Sequence, residues 1–324
     1  MSPAKRSEAA EKYTHRPVLL EAVVQALDPS AGGMFIDCTL GLGGHSEALL
    51  AASHKVSVLG IDRDEAALAQ AQQRLAGFGP RFQALQANFK ALAEITTQLG
   101  IATGAVQGVL ADLGVSSLQL DSGERGFSFQ RPGPLDMRMD CRQTVTAALL
   151  VNTLSETELA DLIYQYGEEP ASRAIARRIV QVRVREPIET TTELADIVAQ
   201  VVRRRGQHGR ERIHPATRTF QALRIAVNEE LNGLDSFVHD AVTALVSGGR
   251  LAIITFHSLE DRIIKNAFRF EAGQCRCPPG LPLCICGTQA RVWIVTKKPI
   301  IPAAQEVAEN ARARSAKLRV CERL

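Results

Sequence analysis

The sequence Met34-Phe-Ile-Asp-Cys-Thr-Leu-Gly-Leu-Gly-Gly-His-Ser46 decides the fold of this chain. An apolar run at 34–36 is followed by Asp37 and then by three glycines, Gly41, Gly43 and Gly44. Helix-favouring residues follow the glycines. This order predicts a buried strand, a tight turn that lets the backbone approach a ligand, and a helix whose N-terminus faces that ligand. The pattern is typical of the first strand and helix of a nucleotide site.

The spacing of the glycines narrows the choice of ligand. A dinucleotide fingerprint has glycines spaced G-x-G-x-x-G, and here Gly41 and Gly43 fit the first two positions while Ser46 takes the third. A ligand with an adenosine but no pyrophosphate, such as S-adenosylmethionine, needs the close backbone approach without the full fingerprint. An ordinary tight connection is the alternative for this turn taken alone.

Polar or aromatic residues follow the next three strand-like runs, at 56–61, 82–85 and 106–111. Asp62 comes directly after the first of these runs, where a carboxylate can accept hydrogen bonds from ribose hydroxyls. Asp62 or Asp64 also suits a helix N-cap. Phe89 follows the second run and either covers an adenine ring or belongs to the core. Because the carboxyl ends of parallel strands share one edge, the alternation predicts an α/β fold that binds its ligand there.

Composition sets the broad class of protein. The chain has 324 residues, of which 45% are hydrophobic and 23% charged, as in soluble globular proteins. No apolar run has the length of a membrane span, and residues 1–16 lack the apolar core of a signal peptide, so a cytoplasmic protein without membrane contact is expected. The formal net charge of +3 does not by itself indicate nucleic-acid binding.

The strand and helix alternation breaks after residue 118. A glycine-rich loop at 121–134 carries Arg125 and Phe127, which either clamp a nucleic acid or anchor the loop to the core. Only helical signals follow at 153–205, together with many arginines. We therefore predict a discontinuous sheet domain at 1–118 and 215–324, and an inserted helical domain at 119–214 that recognises the substrate.

Two polar clusters follow the insertion. A strand-like run at 251–256 brings His257 and Arg262 to the ligand edge, where they either contact substrate or form a structural network. Further on, two C-x-C pairs flank a proline-rich turn. Paired cysteines can bind zinc, but C-x-C is tighter than the usual C-x-x-C knuckle, and no metal is predicted. The four cysteines of these pairs are Cys275, Cys277, Cys284 and Cys286.

Eight motifs occur in order along the chain: His15-Arg-Pro-Val-Leu-Leu20, Asp37-Cys-Thr-Leu-Gly-Leu-Gly-Gly-His-Ser46, Asp112-Leu-Gly-Val-Ser-Ser117, Arg125-Gly-Phe-Ser-Phe129, Leu135-Asp-Met-Arg-Met139, Asn228-Glu-Glu-Leu231, His257-Ser-Leu-Glu-Asp-Arg262 and the basic segment 310–319. Together they resemble the bacterial ribosomal RNA small subunit methyltransferase H family from about residue 15 to residue 319. The resemblance implies transfer of a methyl group from S-adenosyl-L-methionine to the exocyclic N4 amine of a cytidine in the decoding region of 16S ribosomal RNA.

The same resemblance implies a Rossmann-like S-adenosylmethionine-dependent methyltransferase domain with an inserted small helical domain. The implied partner is the small-subunit ribosomal RNA or the small ribosomal subunit; whether the protein acts as a monomer or a homodimer is left open. The implied cofactor contacts are Gly43, Gly44, His45, Asp62, Phe89, Asp112 and Gln119. The predicted substrate contacts are Arg125, Phe127, His257 and Arg262.

Asp112 has two alternative roles. Amine methyltransferases commonly place an acidic or amide side chain after the fourth strand to accept the amine hydrogens, and Asp112 stands there. It either orients the amine or only binds the cofactor. Two other classes of protein compete with the methyltransferase: a nicotinamide-dependent oxidoreductase, which would need a glycine at Ser46, and a non-enzymatic RNA-binding assembly factor, which would leave the motifs at the sheet edge without use.

Overall fold

The computed structural model describes residues 17–121, 123–204, 214–277 and 285–324. It divides the chain into two compact units. The first extends to Gly114 and resumes at Gly233, and the second comprises Val115–Asn232. The chain thus enters the second unit earlier than the predicted boundary at 118 and leaves it later than the predicted boundary at 214. In particular, the helix Thr217–Asn228 belongs to the second unit and not to the sheet domain, where the sequence placed it.

The first unit contains a mixed sheet, which confirms the predicted α/β class. Its described strands are β1 (Gly33–Asp37), β2 (Val56–Asp62), β3 (Phe82–Gln86), β4 (Val106–Asp112), β5 (Leu245–Thr255), β6 (Val292–Ile294) and β7 (Lys317–Arg323). They lie in the order β3-β2-β1-β4-β5-β7-β6. Strands β1 to β5 pair in parallel, and β7 pairs antiparallel with both β5 and β6. The order runs outward from β1 in both directions, so the carboxyl ends of β1, β2 and β4 are neighbours at the point where the topology reverses.

The helices of the first unit are α1 (Leu20–Leu27), α2 (Gly44–Ala52), α3 (Glu65–Leu75), α4 (Leu92–Gln98), α11 (Leu234–Ala244), α12 (Ser258–Glu271) and α13 (Ala304–Glu309). Those of the second unit are α5 (Ser117–Asp121), α6 (Ala147–Thr153), α7 (Glu156–Gly167), α8 (Ser172–Arg183), α9 (Thr191–Arg204) and α10 (Thr217–Asn228). Short 3₁₀ helices cover Pro29–Ala31, Ala76–Arg81, Phe89–Ala91, Gly123–Arg125 and Ala311–Ser315. Among the described helices, none has both the length and the apolar character that a membrane span needs.

The central strands of the sheet have largely apolar sequences, whereas β3 is only partly buried. Val109, Leu110 and Ala111 of β4 are consecutive and all buried, as expected for a parallel strand covered on both faces. The prediction for β5 was less accurate, since the predicted run at 251–256 covers only the second half of Leu245–Thr255. The helix α11 ends at Ala244, and Gly248 and Gly249 lie within β5, where the register against β4 shifts.

The end of the chain differs from its predicted character. The sequence indicated a basic tail at 310–319, but its last residues open strand β7, in which Leu318 and Val320 are buried. The charge of Arg319 is compensated, because its Nε lies 2.6 Å from Oδ1 of Asp261. A basic residue can therefore occupy a buried strand position here.

Helices form the second unit around their own apolar core. Ser155 and Glu158 form a capping box at the start of α7, within the region 153–205 where the sequence indicated helices. Members of the core from different helices include Ile163 of α7, Ile175 of α8 and Leu194 of α9, all fully buried. The unit thus has a hydrophobic core of its own, as expected for an independent domain.

Candidate functional site

The glycine turn between β1 and α2 is fixed by packing as well as by backbone geometry. Gly41 and Gly43 have positive φ angles of 51° and 77°, which favour glycine. A Cβ atom on Gly43 would also lie 2.9 Å from Cδ1 of Leu75. The helix α2 begins directly after this turn, at Gly44, so its first N–H groups are at the carboxyl edge of the sheet.

A buried carboxylate anchors the turn from inside. Asp37, the last residue of β1, is buried; its Oδ2 accepts a hydrogen bond of 2.7 Å from the Ser46 hydroxyl and its Oδ1 one of 3.2 Å from the Thr39 amide. Burial raises the pKa of Asp37, although His45 and the hydrogen bond from Ser46 oppose that shift. Ser46, which replaces the third glycine of a dinucleotide fingerprint, is therefore part of a buried network.

Asp62 ties the end of β2 to the same turn. Its Oδ2 accepts from the Gly41 amide at 2.7 Å, and its Oδ1 accepts from the Asp64 amide at 2.9 Å. Burial raises the pKa of Asp62, and the two amide hydrogen bonds oppose the shift. The N-cap of α3 is Asp64, whose side chain accepts from Ala66. Each carboxylate oxygen of Asp62 keeps a second lone pair that can accept from a ribose hydroxyl.

Unsatisfied polar atoms collect where β1 and β4 end. His45 is 6% exposed, and its Nε2 lies 3.7 Å from Oδ2 of Asp112, whose side chain is 24% exposed. Within the described part of the chain, both ring nitrogens of His45 and Oδ1 of Asp112 are buried without a hydrogen-bond partner. Such atoms are rare in folded proteins, and several together indicate the place of a polar ligand.

The backbone of Asp112 is held in place by Thr39. The Thr39 hydroxyl accepts a hydrogen bond of 2.5 Å from the Asp112 amide. The next amide along the chain, that of Leu113, donates to the carbonyl of Ile254 in β5. The backbone at Asp112 is therefore fixed by hydrogen bonds to the segments of both neighbouring strands, β1 and β5. Oδ1 of its carboxylate, which has no hydrogen-bond partner among the described residues, can bind a ligand.

Phe89 lies at the predicted position but makes core contacts. It follows β3, is 7% exposed, and its ring meets that of Phe237 edge-on at a centroid distance of 4.7 Å. The guanidinium of Arg63 lies 6.0 Å from the Phe89 ring centroid. The predicted contact with adenine stays a prediction, because little of the ring is accessible.

His257 and Arg262 lie beyond the end of β5. His257 is the N-cap of α12: it accepts from the Glu260 amide, while the Glu260 carboxylate accepts from the His257 amide. The Nδ1 of His257 is thus used in a local capping network, whereas its Nε2 is buried without a hydrogen-bond partner among the described residues. Contact of His257 with substrate stays a prediction. Arg262 is exposed in the first turns of the same helix.

The comparison with known proteins identifies the family. The chain matches the profile of the MraW methylase family over residues 12–324. The chain belongs to the MraW methylase family. Membership confirms the resemblance found in the sequence and excludes both the nicotinamide-dependent oxidoreductase and the non-enzymatic assembly factor.

Individual relatives of this methylase cover nearly its whole length. It is 52% identical to a ribosomal RNA small subunit methyltransferase H from Thermomicrobium roseum, over 96% of this chain and 94% of that protein. It is 48% identical to the protein of the same name from Carboxydothermus hydrogenoformans, over 97% and 99%. A solved SAM-dependent O-methyltransferase from Thermotoga maritima matches with a TM-score of 0.41 and 10% identity over 98% of this chain and 70% of that one, which is too distant to support an argument.

The remaining predicted site residues of this methylase lie in the second unit, where each has a partner. Gln119 is buried, and its Oε1 accepts from the Ser116 amide at 3.0 Å. The Arg125 guanidinium donates to the carbonyls of Arg138 and Met139. Phe127, 8% exposed, belongs to the core of the unit. In this structure Arg125 and Phe127 anchor their loop, which was one of the two alternatives; their contact with substrate stays a prediction.

Sequence reasoning missed the residues that support the site. Neither the hydrogen bond from Asp112 to Thr39 nor that from Ser46 to Asp37 was predicted. The first joins residues 73 positions apart, so no local pattern reveals it. The only available signal was the polar character of Asp37 and Thr39 at the end of an otherwise apolar strand.

Proposed function

We propose that this methylase transfers a methyl group from S-adenosyl-L-methionine to the exocyclic N4 amine of a cytidine in the decoding region of 16S ribosomal RNA. The protein is a ribosomal RNA methyltransferase of the MraW family. The finer assignment, to the cytidine amine, is supported by one observation above all. Among the described residues, a carboxylate oxygen of Asp112 and both ring nitrogens of His45 have no hydrogen-bond partner at the edge where cofactor and base would meet.

The residues at the sheet edge fit the cofactor. The turn at Gly41 and Gly43 brings backbone to the ligand, and Asp62 presents acceptors for the ribose hydroxyls. His45 offers two ring nitrogens that have no hydrogen-bond partner in the described part of the chain. When bound, S-adenosylmethionine supplies an electrophilic methyl group. The chain has only to place an amine in line with it, and that positioning accounts for much of the rate enhancement in such reactions.

Asp112 is suited to the amine. The exocyclic nitrogen of cytosine is conjugated with the ring, and it must develop a free lone pair to form the new nitrogen–carbon bond. A carboxylate that accepts hydrogen bonds from the amine favours this change and stabilises the positive charge that the nitrogen carries until its proton leaves. Oδ1 of Asp112 has no partner among the described residues, and Thr39 fixes its backbone.

The second unit supplies the proposed RNA contacts. Its helix α8 carries Arg177, whose side chain is 66% exposed and pairs with Glu156 at 3.3 Å. An exposed pair of this kind contributes little to stability, so the arginine can exchange its partner for a phosphate at small cost. Three further arginines that follow α9 in the sequence, Arg205, Arg210 and Arg212, lie outside the described residues.

Nucleoside analysis tests the proposal. The protein is incubated with methyl-labelled S-adenosylmethionine and small ribosomal subunits, and the RNA is digested and separated by mass spectrometry. We expect the label in N4-methylated cytidine from a single position of the decoding region. Label in 5-methylcytidine, in another base or in ribosomal protein would contradict the assignment to the N4 amine while leaving the methylase family unaffected.

A further inference from the structure

A segment of the first unit between α12 and β6 is closed at its base, and three of its four cysteines lie among the described residues. Ala272 and Ala290 form an antiparallel bridge, and the Arg291 amide donates to the Glu271 carbonyl at 2.7 Å. Cys275 and Cys277 follow the first side of this base, and Cys286 precedes the second. The described parts of the segment are 272–277 and 285–290. In the chain the segment follows β5 and α12.

The three sulfur atoms have the spacing of a metal site. Each Sγ lies within 4.8 Å of the other two, and Sγ of Cys286 is 3.5 Å from Sγ of Cys275. A tetrahedral zinc ion with bonds of about 2.3 Å holds its sulfur ligands about 3.8 Å apart. A disulfide needs about 2.05 Å between the sulfur atoms, which is much shorter than the 3.5 Å between Sγ of Cys275 and Sγ of Cys286. The separation between Cys275 and Cys286 is close to the edge of a zinc tetrahedron, and Cys277 is near enough to complete the set.

Two hydrogen-bond donors point at the same sulfur atoms. The Cys277 amide lies 3.2 Å from Sγ of Cys275, and the Thr288 hydroxyl lies 2.8 Å from Sγ of Cys286. Thiols are weak acceptors, whereas thiolates accept hydrogen bonds well. Donors directed at the sulfur atoms are the outer-sphere contacts that orient metal-bound ligands and stabilise their negative charge.

We propose that Cys275, Cys277 and Cys286 bind one zinc ion. The ligand set consists of soft sulfur atoms, which favour zinc over magnesium or calcium. On binding, the three thiols lose their protons to solvent and the sulfur lone pairs form the bonds to the ion. Because the ligands come from both sides of the closed base, the ion fixes the segment between α12 and β6 and serves a structural role.

The proposal replaces the prediction of no metal that the C-x-C spacing suggested. That prediction considered each pair alone, and a C-x-C pair by itself makes a tight knuckle. In the structure Cys275 lies beside Cys286, which follows it by eleven residues in the sequence. The ligands therefore come from the two sides of the segment, and the short spacing within one C-x-C pair does not prevent metal binding. Cys284 lies outside the described residues, and the proposal does not depend on it.

Metal content and cobalt spectroscopy test the site on the full-length protein. We purify the chain with a reductant, remove bound metal, and titrate with Zn²⁺ or Co²⁺. We expect one zinc ion per chain, and with cobalt a sulfur-to-metal charge-transfer band and the visible spectrum of a tetrahedral ion. The Cys286→Ser variant should bind zinc about a hundredfold more weakly or worse, because it removes a ligand. The matched control is Cys141→Ser, since Cys141 is exposed, unbridged and distant in sequence.

Several outcomes would overturn the proposal. One is that the wild type binds zinc no more tightly than Cys286→Ser. Another is that Cys286→Ser and Cys141→Ser lose the same amount of zinc affinity. A cobalt spectrum without sulfur charge transfer would exclude the cysteines as ligands. A Cys275–Cys286 disulfide in metal-free, reductant-purified protein would show a redox pair in place of a metal site. The cobalt spectrum is read on the wild type, so it decides the question even if the serine variant does not fold.

Discussion

The carboxyl edge of the sheet and the arginine-rich helical unit both carry motifs that suggested function, but their side chains are used differently. At the sheet edge, His45 and Asp112 have buried polar atoms without partners in the described chain. In the helical unit, the Arg125 guanidinium binds two loop carbonyls, and Arg183 donates to the carbonyls of Val151 and Leu154 at the end of α6. The cluster of partnerless buried atoms at the sheet edge supports ligand binding there, whereas the bonds of Arg125 and Arg183 show a use in the architecture of the helical unit.

The largest effect is expected for Asp112→Asn. The amide keeps the shape of the side chain but cannot match the full acceptor pattern of a carboxylate, so turnover should fall about a hundredfold, or about 2.7 kcal/mol of barrier. Cofactor affinity should change much less. Single-turnover methylation at saturating cofactor measures the rate, and calorimetry measures the affinity. If affinity fell in step with the rate, Asp112 would be only a cofactor ligand.

The next effect is expected for Asp62→Ala. This variant loses the proposed charge-assisted hydrogen bonds to the ribose, worth roughly 1.5–3 kcal/mol of cofactor binding. It also removes the acceptor for the Gly41 amide, which loosens the turn. Calorimetric titration with S-adenosylmethionine checks the prediction. A folded variant with wild-type affinity would show that Asp62 does not contact the cofactor. The control is Asp235→Ala, which removes an acidic side chain from α11 in the same unit.

Asn228→Ala tests whether the helical unit uses its polar side chains to stabilise the fold. Asn228 is buried in α10, accepts from the Met139 amide and donates to the Met137 carbonyl, both at 2.8 Å. Met137 has a positive φ of 63°, which an L-residue adopts at a cost that these bonds offset. The substitution should lower the free energy of unfolding by about 2–3 kcal/mol, since it leaves buried backbone groups unpaired.

Urea denaturation and hydrogen exchange at residues 137–139 measure that loss. The control is Asn232→Ala, which removes an exposed side chain from the same unit. Unchanged stability in Asn228→Ala would show that the motif around residues 135–139 is retained for a ligand and not for the fold.

The smallest effect is expected for the double variant Arg177→Glu/Arg178→Glu. If these arginines contact phosphates, RNA affinity should fall several-fold at moderate salt, and the salt dependence of binding should decrease by about 0.7–0.9 per lost contact. Cofactor affinity should hold. The matched control is Lys297→Glu/Lys298→Glu, which makes the same change of charge on exposed residues of the first unit. Equal losses of RNA affinity in both variants would show that the effect comes from the net charge of the protein and not from contacts of Arg177 and Arg178.

The accuracy of the sequence predictions follows the same division. The strands predicted at 34–36, 56–61, 82–85 and 106–111 begin and end within about one residue of the observed strands. For β1, β2 and β4 the reason is that buried parallel strands are largely apolar runs, whereas β3 is only partly buried. Strand β7 was missed, since its alternating basic residues resemble a solvated tail. Only pairing with β5 and the ion pair between Arg319 and Asp261 make that segment a strand.

The sequence by itself determined the α/β class, the glycine turn and the methylase family, because these depend on local periodicity and on the order of motifs. The tertiary structure decided which polar residues are used by the fold and which remain for a ligand. Asp37, Thr39 and Ser46 act through partners that only folding brings within hydrogen-bond distance. The same is true of Cys275 and Cys286, whose sulfur atoms approach to 3.5 Å only when the segment that carries them is closed at its base. Whether a polar atom is satisfied depends on contacts between distant parts of the chain, and such contacts leave no pattern in the sequence.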